Sequence, residues 1–235
     1  MKERIYIKPE KIANSIKVDD GKIVHKIRHV LRLKVDDELL VFDGQGKEYG
    51  CRIESVAKST ITLKKEISLR NEDQNLIEIT LGFPLIREGK IDFILQKATE
   101  LGVNRLIPFI CQRTASAKIS SKKLDRWRSI IIDASRQSGR LWIPKLDNVF
   151  KFDDLINIDS DAKIYADLDG VVLKKAVRSD AKTFFVAVGP EGGFSIDEKD
   201  AFTKNDFAAV NVSDNVLRVE TAAIFCVGLI KDLLR

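Results

Sequence analysis

The sequence is short of the residues that build cross-linked or metal-bound proteins. Its 235 residues include three cysteines (Cys51, Cys111, Cys226), odd in number and far apart, and two histidines, His25 and His29. Scattered thiols argue against a disulfide framework and lack zinc-ligand spacing, so reduced, mostly buried cysteines are expected. The histidines stand four apart with no Cys or acidic cluster beside them, so no metal is expected. No apolar run approaches the ~18 residues of a membrane span. After Met1-Lys2-Glu3-Arg4 no apolar secretory core follows, so a soluble, cytoplasmic chain is expected. Neither G-x-G-x-x-G nor G-x-x-x-x-G-K-[ST] occurs, which removes the usual dinucleotide fingerprint and phosphate loop. Internal repeats and low-complexity segments are absent as well.

What is present is an ordinary globular composition. Hydrophobic residues make up 44% of the chain, enough for a sizeable core in one large or two small domains. The net charge is only +5, but residues 113–140 hold eight Lys/Arg against two Asp, a local charge of +6. Such a concentration suits a polyanion such as RNA, or it is a solvated helix face.

The texture changes along the chain. Arg4–Ile7, Glu38–Phe42, Tyr49–Val56 and Thr60–Ile67 read as short strands, with a turn at Asp43-Gly44-Gln45-Gly46. One helical piece, Gly21–Arg32, carries Arg28 and Arg32. Several short strands with one helix point to a small barrel. The polar run Arg70–Asn75 is the candidate linker. Beyond it strands and helices alternate, with strands at Leu76–Phe83, Val103–Phe109, Lys163–Leu168, Thr183–Val188 and Ala208–Val212. Helices are expected at Lys90–Leu101 (closed by Gly102), Leu124–Gln137, Ile196–Lys204 and Val219–Leu234. That alternation predicts a largely parallel α/β sheet, with ligands outside the carboxyl ends of its strands. Three candidate loops follow such strands: Asp167–Gly170, Gly189–Gly193 and Ser213–Arg218.

The chain is organised around the second of these, Gly189-Pro190-Glu191-Gly192-Gly193-Phe194-Ser195-Ile196-Asp197-Glu198. A buried strand runs into three glycines, and Ser195 with Glu198 forms a capping box that starts a helix near Ile196. Glycines let the backbone approach a ligand, and free N–H groups at a helix start favour polar or anionic atoms. The alternative is a tight turn that binds nothing.

Several motifs taken together resemble one family. They are His29-Val30-Leu31-Arg32, Phe42-Asp43-Gly44 and Glu48-Tyr49, then Gln96–Val103 with Pro108, then Trp127, Ala134, Gln137-Ser138-Gly139-Arg140 and Pro144. Last come Gly189–Ser195 with Glu198, and Leu217-Arg218 with Glu220-Thr221-Ala222. In this order, over nearly the whole length, the chain resembles the RsmE-type 16S ribosomal RNA (uracil-N3)-methyltransferases of the SPOUT superfamily. The resemblance implies a PUA-like RNA-binding β-barrel over residues 1–70. Residues 74–235 are then an α/β methyltransferase domain whose end is threaded as a trefoil knot, a homodimer, and S-adenosylmethionine held in the knot. The implied reaction is methylation of uracil N3 at one uridine of the small ribosomal subunit. Departures from the family are Ser213, where Gly is usual, and Asp36-Asp37, where Gly-Asp is usual. A glycine at positive φ replaced by Ser213 would strain its loop, whereas Asp tolerates that region.

On this resemblance Gly189, Pro190, Glu191, Gly192, Gly193, Val216, Leu217, Arg218 and Thr221 are the cofactor-binding candidates, and Arg218 is the catalytic candidate. Arg218 would stabilise the uracil imidate or bind phosphate; otherwise it pairs with Glu220 or Glu191. Arg28, Arg32, Lys122, Lys123, Arg126, Gln137 and Arg140 are assigned to RNA. Lys97 and Glu100, three apart, read as a pair on one helix face. No side chain stands out as a dedicated base. Competing readings are a ribose 2′-O-methyltransferase of the same superfamily and a catalytically silent ribosome-assembly protein that binds RNA.

Overall fold

The computed structural model describes residues 3–73, 77–114, 119–177 and 180–234. Parts of three expectations, Leu76 of the first α/β strand, Gln74-Asn75 of the linker and Lys118 of the basic segment, lie outside the described residues. Two compact units are present: Met1–Gln74 with Ser135–Ile143, and Asn75–Ala134 with Pro144–Arg235. Among the described residues no helix is long and apolar enough to cross a membrane.

The first unit is a five-stranded sheet of β1 (Arg4–Tyr6), β2 (Ser15–Val18), β3 (Glu38–Phe42), β4 (Lys47–Val56) and β5 (Ile61–Asn71), in the order β1-β3-β4-β5-β2. Its pairs are antiparallel except β1 with β3. Period-two alternation explains the core: in β2, Ile16 and Val18 are buried while Ser15 and Lys17 face water. Ile16, Val18, Val41, Ile53, Ile61 and Leu63 meet in one cluster. The sequence reading missed β2. Helix α1 (Gly21–His25) is capped by Asp20, whose carboxylate accepts from the Lys22 and Ile23 amides, and it continues as a π-turn over Lys26–Val30.

A buried arginine organises this unit. Arg4 Nε donates to Glu48 Oε1 at 2.6 Å. Its terminal nitrogens donate to the carbonyls of Ser135 at 3.2 Å, Arg136 at 2.8 Å and Arg140 at 3.1 Å. A guanidinium on the closing carbonyls of a helix supplies the donors its last turn lacks and meets the negative end of its dipole. Gly46 serves close packing, since a Cβ there would stand 2.3 Å from the Glu72 carbonyl oxygen. Asp36 takes φ +74, as the comparison with Gly implied.

The second unit is an all-parallel sheet. Its elements are β6 (Glu78–Pro84), α2 (Glu88–Glu100), β7 (Arg105–Ile110), α3 (Ser121–Ser138), β8 (Lys145–Leu146), β9 (Phe150–Lys151) and α4 (Phe152–Ile156). They continue with β10 (Ala162–Val172), α5 (Leu173–Ala176), β11 (Thr183–Ala187), α6 (Ile196–Lys204), β12 (Phe207–Asn211) and α7 (Val219–Leu233). The order is β12-β10-β11-β6-β7-β8, with β9 also on β7. Gly102 (φ +93) and Gly139 (φ +80) follow the ends of α2 and α3 as left-handed residues. Asp167–Gly170 corrects the sequence reading: these residues continue β10 rather than forming a loop beyond it. The chain bulges there, the register against β12 shifting between Ala166 and Val171. Gly170 is required by this bulge, because a Cβ would lie 2.5 Å from the Val210 nitrogen.

Candidate active site

Three neighbouring strands, β12, β10 and β11, bring their carboxyl-terminal segments to one cleft of about 840 Å³. Parallel strands place ligand sites at this end of a sheet. The glycine loop after β11, the bulge of β10 and the loop after β12 all line the cleft. Gly189, Pro190, Glu191, Gly192, Gly193, Val216, Leu217 and Arg218 of the expected set are brought together there, whereas Thr221, exposed in the first turn of α7, does not line it.

The three loop glycines are there for different reasons. A Cβ on Gly189 would meet the Phe194 ring at 3.1 Å, so its glycine serves packing. Phe194 is buried and stacks on Phe109 at 6.2 Å, with Phe202 edge-on at 4.8 Å. This aromatic anchor holds the loop against the sheet and contributes roughly 2–3 kcal/mol of burial. Gly193 takes φ +69 and so serves the turn. Gly192 is demanded by neither cause: it is not among the positive-φ glycines, and its Cβ would touch only the flexible Arg113 side chain, at 3.3 Å. Its bare backbone leaves room in the cleft.

The capping box is present and reaches further than the sequence indicated. Ser195 Oγ accepts from the Glu198 amide at 3.2 Å, and Glu198 Oε2 accepts from the Ser195 amide at 2.8 Å. Glu198 Oε1 also accepts from the Gln112 amide at 2.7 Å. The buried carboxylate therefore ties the loop after β7 to the glycine loop. Arg113 adds a second tie by donating to the Gly192 carbonyl. The box expected from Ser195 and Glu198 is thus present, and it uses both of their amides.

Charge around the cleft is arranged in pairs. Lys90 of α2 donates to Glu191 at the loop tip, and its Nζ lies 3.7 Å from Glu220 Oε2 of α7. That Glu220 oxygen is buried with no hydrogen-bond partner. Lys90, then the more distant Arg87 and Arg218, hold the Glu191 carboxyl below its ordinary range. Lys199 pairs with Asp167, which raises the lysine's pKa. Arg218 stands at the start of α7, exposed at the cleft wall and making no capping hydrogen bond with its side chain. Ser213 escapes the expected strain, because it is not among the residues with positive φ. Its amide donates to Asn211 Oδ1 at 2.8 Å and its Oγ accepts from the Asn215 amide at 3.1 Å. Lys97 and Glu100 pair at 2.9 Å along α2, as expected.

Comparison with known proteins gives this geometry a family. The RNA methyltransferase domain profile matches residues 72–231. The chain belongs to the RNA methyltransferase family. The PUA domain of RNA methyltransferases matches residues 19–66. A ribosomal RNA small subunit methyltransferase E of Rickettsia conorii is 28% identical over 236 residues, covering 98% of this chain and 95% of the relative. Its counterpart in Aquifex aeolicus is 29% identical over 232 residues, covering 97% and 99%. The crystal structure of a ribosomal RNA small subunit methyltransferase E from Neisseria gonorrhoeae, bound to S-adenosyl methionine, gives a TM-score of 0.90. That protein is 27% identical, with 99% of this chain and 98% of that chain covered.

In this RNA methyltransferase the residues assigned to RNA belong to both units. Arg28 donates to the Lys58 carbonyl, and Arg32 is exposed at φ +55. Lys122 is exposed on α3, and Lys123 Nζ lies 5.5 Å from the Trp127 ring centroid. Arg126 is instead engaged with Glu88 and Asp92 of α2, so its charge is locally balanced. Gln137 is exposed, while burial pushes the Arg140 guanidinium down to about 10. The pairing of Arg126 crosses between elements 34 positions apart and left no local trace in the sequence.

Proposed function

We propose that this chain methylates N3 of a uridine in small-subunit ribosomal RNA, using S-adenosylmethionine. The observation that carries the reading is the cleft around Gly192, where a glycine is needed neither for backbone conformation nor for packing. The lining fits the cofactor. Val216 and Leu217 offer apolar walls for an adenine ring, Gly192 and Gly193 offer backbone, and Asp169 offers a carboxylate toward an ammonium group. When bound, the cofactor supplies a methyl group on a positively charged sulfur. The chain must hold the uracil so that N3 lies in line with that carbon at ~3–3.5 Å. With no side chain standing out as a base, the N3–H proton would pass to water; the freed N3 lone pair would take the methyl carbon as its bond to sulfur breaks, leaving a neutral thioether. Arg218 is placed to meet negative charge developing on the uracil oxygens. Its exposure leaves the guanidinium room to turn toward that charge. The base must be unpaired or flipped out to reach the cleft.

The same reading takes the five-stranded sheet as a PUA-like barrel over residues 1–70, and residues 74–235 as the methyltransferase domain with a trefoil knot. Strand order supports the knot: from β11 the chain passes β10 to reach β12, and α7 then returns to pack on α2 and β6. A homodimer is supported by Phe93 of α2 and Phe225 of α7, which stay 45% and 44% exposed on helices that pack together. Arg28, Arg32, Lys122, Lys123 and Gln137 serve RNA, and the protein works in the cytoplasm. Gly192→Val tests the cofactor cleft by calorimetry. The substitution meets only a flexible side chain, so a folded protein that no longer binds S-adenosylmethionine is expected; undiminished binding in the folded variant would remove the cleft from the account.

A further inference from the structure

A second cavity, of about 390 Å³, adjoins the cofactor cleft and shares with it Arg87, Arg113 and the Pro190–Gly192 segment. Its size is near the low end for small-molecule sites, about 300 Å³. The half-buried Ile86 and Ile119 give it apolar walls, and Arg87, Arg113 and Lys123 give it cations. An apolar surface beside three cations suits a ligand with a flat ring and an anionic group.

The charges around it are unevenly spent. Arg126 is balanced by Glu88 and Asp92, and Arg128 by Asp125. Glu191 is the one carboxylate among the residues lining this cavity, and Lys90 already holds it. Arg87 is exposed at the start of α2. Arg113 lies with its side chain along Gly192, donating to that residue's carbonyl. Both guanidiniums therefore stand where the two cavities meet.

We propose that this second cavity receives the target uridine as an unpaired nucleotide, its ring against Ile86 and Ile119 and its phosphate held by Arg87, Arg113 and Lys123. The inference rests on reading the first cleft as the cofactor site, since only then does a ring here lie beside the methyl group. It assigns Arg87 and Arg113, which the sequence did not single out, and it gives Lys123 a place rather than a general charge.

The test measures binding of small ribosomal subunits lacking the modification, binding of S-adenosylmethionine, and methyl transfer, in Arg87→Ala, Lys123→Ala and an Arg128→Ala control. Arg87→Ala and Lys123→Ala are expected to raise the Kd and KM for subunits about tenfold, with the cofactor Kd within twofold of wild type. Each should flatten the logarithmic salt dependence of binding by about one. Arg128→Ala should leave all three readouts unchanged. Unaltered subunit binding in both variants would overturn the proposal, as would a parallel tenfold loss of cofactor affinity. The binding readouts test this cavity even if no methyl is transferred. Wild-type protein that binds subunits but neither binds the cofactor nor transfers methyl would instead overturn the reading of the first cleft.

Discussion

Replacing Glu198 by alanine should loosen the glycine loop from the sheet. The buried carboxylate accepts from the Ser195 amide at 2.8 Å and from the Gln112 amide at 2.7 Å. Removing it strands two backbone donors, each worth about 1–3 kcal/mol when left unsatisfied. Relaxation lets some water reach them, so a net cost of about 3 kcal/mol is expected, a large part of the roughly 5–15 kcal/mol that stabilises a domain. At a urea slope of about 2 kcal/mol/M the midpoint should fall by roughly 1.5 M. Glu198→Gln keeps one carbonyl acceptor but turns an amide NH₂ toward the other donor, so about half that cost or more remains. Urea unfolding followed by the fluorescence of the buried Trp127, with hydrogen exchange at Gln112 and Ser195, reads both parts. A loss below about 1 kcal/mol in Glu198→Ala, with both amides still protected, would refute the account of the loop.

Other outcomes follow from the same reasoning. Among the described residues, Arg4→Ala leaves buried Glu48 with Arg70, 3.9 Å away, as its cationic partner, and should cost about 3 kcal/mol by chemical denaturation. Gly46→Ala combines φ +98 with a 2.3 Å clash, so an unfolding cost of at least about 2 kcal/mol is expected; a neutral substitution would contradict the close approach. Lys90→Met should raise the Glu191 carboxyl toward its ordinary value, measurable by NMR titration. Because the folded value is depressed, the Lys90–Glu191 contact stabilises above the ordinary carboxylate pKa and is lost as pH falls through the folded one; the variant should lack that dependence.

The sequence showed most clearly what is local. The bounds of β3 and α6 follow from short-range patterns, an alternating run and a Ser–Glu box, and the structure places both elements where those patterns put them. The glycine loop was legible as a loop, but the separate duties of its glycines depend on Phe194 and Arg113, whose positions only the fold determines. Gln112 lies 86 positions from Glu198, and Ser135 lies 131 from Arg4, so neither tie has a sequence signature. Asp167–Gly170 misled because Asp and Gly are turn formers, and here they form a bulge within a strand. The partners of the basic segment were out of reach for the same physical reason as the ties: charge counting cannot see that Glu88 and Asp92 of α2 pair with Arg126.

Methyl transfer from labelled S-adenosylmethionine to small ribosomal subunits lacking the modification, with the product nucleoside identified by mass spectrometry, tests the central claim most directly. N3-methyluridine is the predicted product, formed by wild type and lost in Gly192→Val. A different methylated nucleoside would contradict the assignment of atom and substrate. No transfer, from protein that also fails to bind the cofactor, would contradict the enzyme reading and leave an RNA-binding assembly protein in its place.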